Sequence, residues 1–370
     1  MSRWPEWAFE VLRTVLALVV ALIITFIIVL VVSAEPGEAF AALLGGPLGS
    51  PRTIGVWLDD VAKLTLAGLA LSLVFQARLF ALGVQGQAYL GGLAAGVIAL
   101  SSLGQSWVSI PLGLLAAALT GAVYGWIPGI VKARFGANEI VSTLMLNYIA
   151  IDVFGWLIRT RFSPPGSGLN RSAPFPDSAV YPTLIPRTRI DLGIVIAIIA
   201  VIVIWFYLYR TKRGFDLRMV GFNARFAEYV GINVPRTIVR TMVVSGIVGG
   251  MLGAVFVQGT AYGQLAIGFE GFITFEGILV AIVARNRPLL IPIAALFYGY
   301  LRQGAVLMGL RSDVPTEMIG IIQGVVILLV ASAGLYGWLR ANRAPDTDGD
   351  PGAPQPPIIG GGPLTEQAVR

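Results

Sequence analysis

Ten blocks of roughly 20 predominantly apolar residues, separated by polar or basic segments, run through most of this sequence. An α-helix needs about that many residues to cross the roughly 30 Å hydrocarbon core of a bilayer. The blocks lie near 8–32, 56–75, 84–103, 108–127, 139–158, 191–209, 238–258, 267–284, 288–309 and 317–339. Composition agrees, because only 12% of the 370 residues are charged, against about 25% in an average soluble domain. Hydrophobic residues reach 56% and mean hydropathy is +0.79. The expected fold class is all-α: a polytopic membrane helix bundle of about ten transmembrane helices, multi-pass in the cell (plasma or inner) membrane. The first block is too long for a signal-peptide core and reads as a retained span. The block at 267–284 is the weakest, since Glu270 and Glu276 interrupt it.

The placement of charge gives an orientation. With the N-terminus inside, the inner segments hold Arg3, Arg13, Arg78, Lys132, Arg134, Arg285, Arg287, Arg340 and Arg343. The 210–240 segment adds Arg210, Lys212, Arg213, Arg218, Arg225, Arg236 and Arg240 against Asp216 and Glu228. Basic loops stay in the cytoplasm, so both termini are expected there. The same rule explains the net charge of +6 without nucleic acid. The exception is 159–190, a Pro-, Ser- and Arg-rich segment predicted outside, with Arg159, Arg161, Arg171, Arg187 and Arg189. It reads as an irregular extracytoplasmic loop able to receive another protein. Residues 1–340 then form one membrane domain. The tail at 341–370, rich in Pro and Gly, has too little apolar surface to offset its chain entropy and is expected to be disordered.

Several chemistries are excluded outright. The chain has no Cys and no His, which removes disulfides, thiolates, the usual zinc sites and every histidine-based catalytic arrangement. The three lysines, Lys63, Lys132 and Lys212, stand in no G-x-x-x-x-G-K-[ST] phosphate loop. The chain is expected to be no enzyme and to hold no cofactor or metal.

Polar residues inside apolar blocks are costly and each asks for a reason. In LGVQGQAYLGGLAAG, Gln85 and Gln87 stand among Gly83, Gly86, Gly91 and Gly92. Such a segment is either a broken helix lining a solute path or close helix packing with glutamines as interhelical glue. In GANEIVSTLMLNYIAID, Asn138, Ser142 and Met145 share one helical face, and Glu139, Thr143 and Asn147 share the adjoining one. Helix capping accounts for Asn138 and Glu139 but leaves Asn147 unexplained. Tyr148 is placed either to stack on a flat ring or simply to pack. Glu270 is expected in water on a short external piece, with Glu276 nearer the membrane as a pathway or packing residue. Gln303 and Gln323 read as interhelical hydrogen bonders.

Four segments in order, LFALGVQGQAYLGGLAAG, GANEIVSTLMLNYIA, RMVGFNARFAEYVGI and DVPTEMIGIIQGVVILLV, resemble the permeases of ABC importers for nucleosides, simple sugars and branched-chain amino acids. The resemblance spans roughly 60–335 and is nearest the longer permease of the nucleoside branch. It implies ATP-driven import along a path formed with a second permease subunit, a different chain, with cytoplasmic ATPase subunits that bind the Mg-ATP and an extracytoplasmic substrate-binding protein. The implied substrate path draws on Gln85, Gln87, Asn138, Glu139, Asn147 and Tyr148. The loop pattern G-x-N-x-x-x-A-x-x-x-G, here Gly221, Asn223, Ala227 and Gly231 with Glu228 inside it, is implied to couple to the ATPase. Gln85 stands where the family usually has Glu, and Ala224 where it has Pro. Simple sugars and branched-chain amino acids are the alternative substrates, and an ion-coupled secondary carrier is the alternative of another class.

Overall fold

The structure is a computed structural model, which describes residues 23–24, 26–30, 33–101, 106–164, 170–314 and 324. Most of the first apolar block lies outside the described residues, as do nearly all of the last and the whole tail. Gln323 lies outside them too. Among the described residues every regular element is a helix, accompanied by two isolated β-bridges.

The helices are α1 (Pro36–Gly45), α2 (Pro51–Gln76), α3 (Val84–Leu100), α4 (Ser106–Phe135), α5 (Glu139–Leu157), α6 (Leu192–Arg210), α7 (Lys212–Phe222), α8 (Ala224–Tyr229), α9 (Val234–Gln258), α10 (Ile273–Val283) and α11 (Ile291–Arg311). Local chemistry sets many of their starts. Ser50 and Thr53 form a reciprocal capping box ahead of α2, with Pro51 at its first position. Asn138, Asp191, Thr211, Asn223 and Asn233 cap α5, α6, α7, α8 and α9 through their side-chain oxygens.

Among the described residues, five helical stretches are long and apolar enough to cross a membrane: Ser106–Phe135, Glu139–Phe162, Leu192–Arg210, Val234–Gln258 and Pro288–Arg311. The helix α2 has the length but carries Arg52, Asp59, Asp60 and Lys63. Two apolar helices, α3 and α10, are shorter. The block expected over 267–284 is helical only from Ile273, and 259–272 is irregular.

Two helices form the interior. Nearly every residue of α2 from Asp59 to Val74 is buried, and α9 is buried along most of its length. Around α9 pack α3 and α4, and around α2 pack α6, α10 and α11. The α9 contacts depend on glycine. A Cβ on Gly250 would lie 2.1 Å from the Ala117 carbonyl oxygen, and one on Gly121 would lie 2.1 Å from that of Gly246. Backbones meet this closely only where the approaching residue carries no side chain. In an apolar solvent such packing replaces the hydrophobic effect as the source of helix association.

Candidate functional site

The site begins where α2 ends. After Gln76 the chain turns through Arg78 at φ 55° and stays non-helical to Gly83 before α3 starts. This piece runs from the surface, where Arg78 and Phe80 are exposed, into the bundle, where α3 begins. Gln87 packs against Gly249, fifteen residues after the start of α9 and so about 22 Å along its axis. Irregular backbone at such depth must find partners within the protein.

It finds them on α5. Glu139, Thr143 and Asn147 are spaced four apart on one face and meet the passing backbone in turn. The Phe80 N–H donates to Glu139 Oε1 at 3.3 Å, and the Leu82 N–H donates to Thr143 Oγ1 at 3.0 Å. Asn147 Nδ2 donates to the Leu82 carbonyl at 2.8 Å, while its Oδ1 accepts from the Gly86 N–H at 3.0 Å and from Tyr124 Oη at 3.1 Å. The polar stripe on α5 is thus a rail that satisfies the broken segment. Glu139 also pairs with Lys132 at 2.7 Å. The other predicted face turns away: Asn138 caps α5 at its exposed end, and Met145 and Tyr148 are exposed, Tyr148 by 63%.

A second broken element faces the first. After α9 the chain re-enters the bundle through 259–272, turning at Gly263, Gly268 and Gly271, all at positive φ. It ends on Glu270, just ahead of α10. Glu270 was expected in water but is 2% exposed. The reason is its company: Oε1 accepts from Gln85 Nε2 at 2.7 Å and Oε2 from Thr274 Oγ1 at 2.5 Å. The N-terminal ends of α3 and α10 converge here, and the positive ends of helix dipoles favour a carboxylate. A shallow cleft beside the junction is lined by Leu71, Leu82, Val84, Gln85, Thr274, Phe275 and Ile278. Gln87 points away from it, buried against Gly249 with its Oε1 unpaired.

Glu276 on α10 is joined to charges on α2 and α11 that had no role assigned from sequence. Arg302 on α11 binds Asp60 on α2 at 2.6 Å and Glu276 on α10 at 2.9 Å. Lys63 pairs with Asp59 at 2.6 Å and lies over the rings of Phe256 and Tyr262. The signal was available: Asp59 and Lys63 stand at i and i+4 inside an otherwise apolar block.

At the same end of α2, where the broken segment begins, lies the connection formed by α7 and α8. A Cβ on Gly221 would sit 1.8 Å from the Gln76 carbonyl oxygen, so α7 rests directly on the end of α2. The Gln76 amide in turn donates to the Asn286 carbonyl just after α10. Asn223 caps α8 at Phe226 N, 3.1 Å away, and Gly231 closes the turn at φ 85°. Ala227 is buried beneath α8, whereas Glu228 is exposed and Tyr229 is 90% exposed.

Residues 54–331 match the family described as "Branched-chain amino acid transport system / permease component". The chain is 33% identical over 308 residues to the guanosine ABC transporter permease protein NupP of Bacillus subtilis, covering 82% of this chain and 88% of that one. It is 30% identical over 332 residues to the nucleoside ABC transporter permease protein NupB of Lactococcus lactis, covering 87% and 91%. Identity to the glucose ABC transporter permease protein TsgB13 of Haloferax volcanii is 27% over 331 residues, covering 87% of each. The chain is a multi-pass membrane protein and belongs to the branched-chain amino acid transport system permease family of ABC transporters.

Proposed function

We propose that this permease subunit carries nucleosides inward across the cell membrane, driven by separate cytoplasmic ATPase subunits that bind Mg-ATP. The observation that carries this reading is likeness to guanosine and nucleoside permeases at 30% identity or more over most of both chains. Family membership sets aside the ion-coupled secondary carrier. A simple sugar is the second reading, favoured by the glucose permease among the relatives.

The path passes the junction of α3 and α10. Gln85 and Glu270 offer an amide and a carboxylate to ribose hydroxyls or base edges, and Phe275 with the flanking aliphatic side chains offers an apolar wall. Gln87, Asn138, Glu139 and Asn147 support the path by holding the broken segment and the ends of α5 and α3. Tyr148, exposed on α5, faces a second permease subunit. The connection at 210–240 lies in the cytoplasm and docks the ATPase through Glu228 and Tyr229, with Gly221, Asn223, Ala227 and Gly231 shaping it. Because α7 rests on the end of α2, a push there passes straight into the broken segment leading to Gln85. On the outer side the 159–190 loop receives a substrate-binding protein, to which it offers the half-exposed Leu184 and Ile185.

Uptake of labelled adenosine by cells expressing this chain with its partner subunits, competed by uridine, ribose and leucine, tests the proposal. ATP-dependent uptake blocked by uridine alone is expected. Blocking by ribose or leucine instead would overturn the nucleoside assignment. Tyr229→Ala is expected to lower uptake while leaving the chain in the membrane.

A further inference from the structure

The segment 259–272 carries Glu270 at one end, and at the other it is tied to something the transport reading does not use. Asp191 is 2% exposed and has all its visible partners in the protein. Its Oδ1 accepts from the Gly193 N–H at 2.8 Å, capping α6, and its Oδ2 accepts from the N–H and hydroxyl of Thr260 at 2.8 and 3.2 Å. One buried carboxylate therefore joins the head of a membrane-length helix to the head of the re-entrant segment.

The loop leading to Asp191 is laid along that same segment. The Ser172 N–H donates to the Leu265 carbonyl at 2.8 Å, and Ser172 Oγ accepts from the Leu265 N–H at 3.0 Å. Phe175 N–H donates to Gly263 O at 2.7 Å, Tyr181 N–H to Gln258 O at 2.8 Å, and Ile267 N–H to Asn170 O at 3.0 Å. Phe175 and Tyr181 are buried under this strap. The re-entrant segment has little regular hydrogen bonding of its own, so its path is set from outside: by the strap, by Asp191, and by Gln85 and Thr274 at its far end.

We propose that Asp191 is a positioning residue for the Gln85–Glu270 junction. It pins Thr260, the strap holds 263–267 in register, and together they fix where Glu270 meets Gln85. A partner that presses on the exposed 182–187 tip of the strap thereby moves the carboxylate deep in the bundle. Its significance for transport rests on the reading that this junction lines the path; the positioning itself does not.

The test uses the full chain in membranes, which has no native cysteine to confuse a thiol readout. Glu270→Cys and, as a control, Ser245→Cys, a 1% exposed position on α9, are each reacted with membrane-permeant N-ethylmaleimide. Each is made with Asp191 intact and with Asp191→Ala, and also with the milder Asp191→Asn, which keeps one acceptor oxygen, and Thr260→Val, which removes only the hydroxyl bond, so that a folding failure of Asp191→Ala leaves the test standing. Losing the charged hydrogen bonds should raise Glu270→Cys reactivity about tenfold and leave Ser245→Cys unchanged. Equal acceleration at both sites would show general loosening, and no change at Glu270→Cys would show no coupling; either overturns the proposal. Because the readout needs no uptake, it stands or falls separately from the path assignment. A second arm measures uptake: the effects of Asp191→Asn and Glu270→Gln on KM should be non-additive, and additive effects would overturn the link to transport.

Discussion

Around α9, the helices α3 and α4 approach until glycine backbones touch, with Gly250 against Ala117 and Gly121 against Gly246. Around α2, by contrast, α10 and α11 are joined by the Asp60–Arg302–Glu276 chain, with Asp59 and Lys63 paired beside it. The first region is held by shape, and the second adds charge to a close glycine approach, Gly277 against Ala67. Shape of this kind tolerates almost no movement, since a shift of an ångström separates the backbones. A guanidinium between two carboxylates can slide while keeping one partner. Gln85 belongs to the shape-held side and Glu270 lies on the charge-held side, so their hydrogen bond sits on the boundary between a fixed body and an adjustable one.

The comparison can be broken most severely at Gly250. Gly250→Leu has nowhere to place its side chain and is expected to cost at least about 3 kcal/mol, enough that little monodisperse protein survives size-exclusion chromatography of solubilised membranes. If the variant elutes normally, the shape-held region is looser than described. Next comes Arg302→Met, which strands Asp60 and Glu276 and should cost about 3–5 kcal/mol in thermal unfolding. Adding Asp60→Asn and Glu276→Gln should recover most of it, because the penalty arises from the unpaired charges. Failure of that rescue would make packing, not charge, the glue of this side.

Asn147→Ala probes the rail and should cost about 2–3 kcal/mol by leaving the Leu82 carbonyl and the Gly86 N–H without partners. Its effect should grow when combined with Thr143→Val, since both satisfy one short segment. Asn138→Ala removes an exposed cap and should cost only about 1 kcal/mol. A larger loss from Asn138→Ala than from Asn147→Ala would invert the assignment of the two faces of α5.

Much of the bundle could be read directly from residues. Apolar blocks of membrane length placed the long helices, and Asn138 was legible as a cap, whereas the caps at Ser50 and Asp191 emerge only from the structure. The polar stripe at Glu139, Thr143 and Asn147 was also visible, but its role was not, because the backbone it serves comes from residues about sixty positions earlier. Glu270 was misplaced for a related reason. A carboxylate among glycines and phenylalanines looks like a water-facing turn unless one knows that Gln85 and Thr274 close around it. Local pattern reports periodicity; it does not report which two interruptions will meet. The first and last apolar blocks, which carry the expected positions of both termini, lie largely outside the described residues.

The brevity of α10 bears on how the chain is built. Its eleven residues extend about 16 Å, roughly half the hydrocarbon thickness, and the segment before it has unmet backbone groups until the strap and Asp191 supply partners. Neither piece can partition into lipid alone as a finished helix does. Biosynthesis must therefore present α2, α6 and α9 as a waiting scaffold before 259–283 settles, so the last step of assembly in this region is docking within protein and not insertion into membrane.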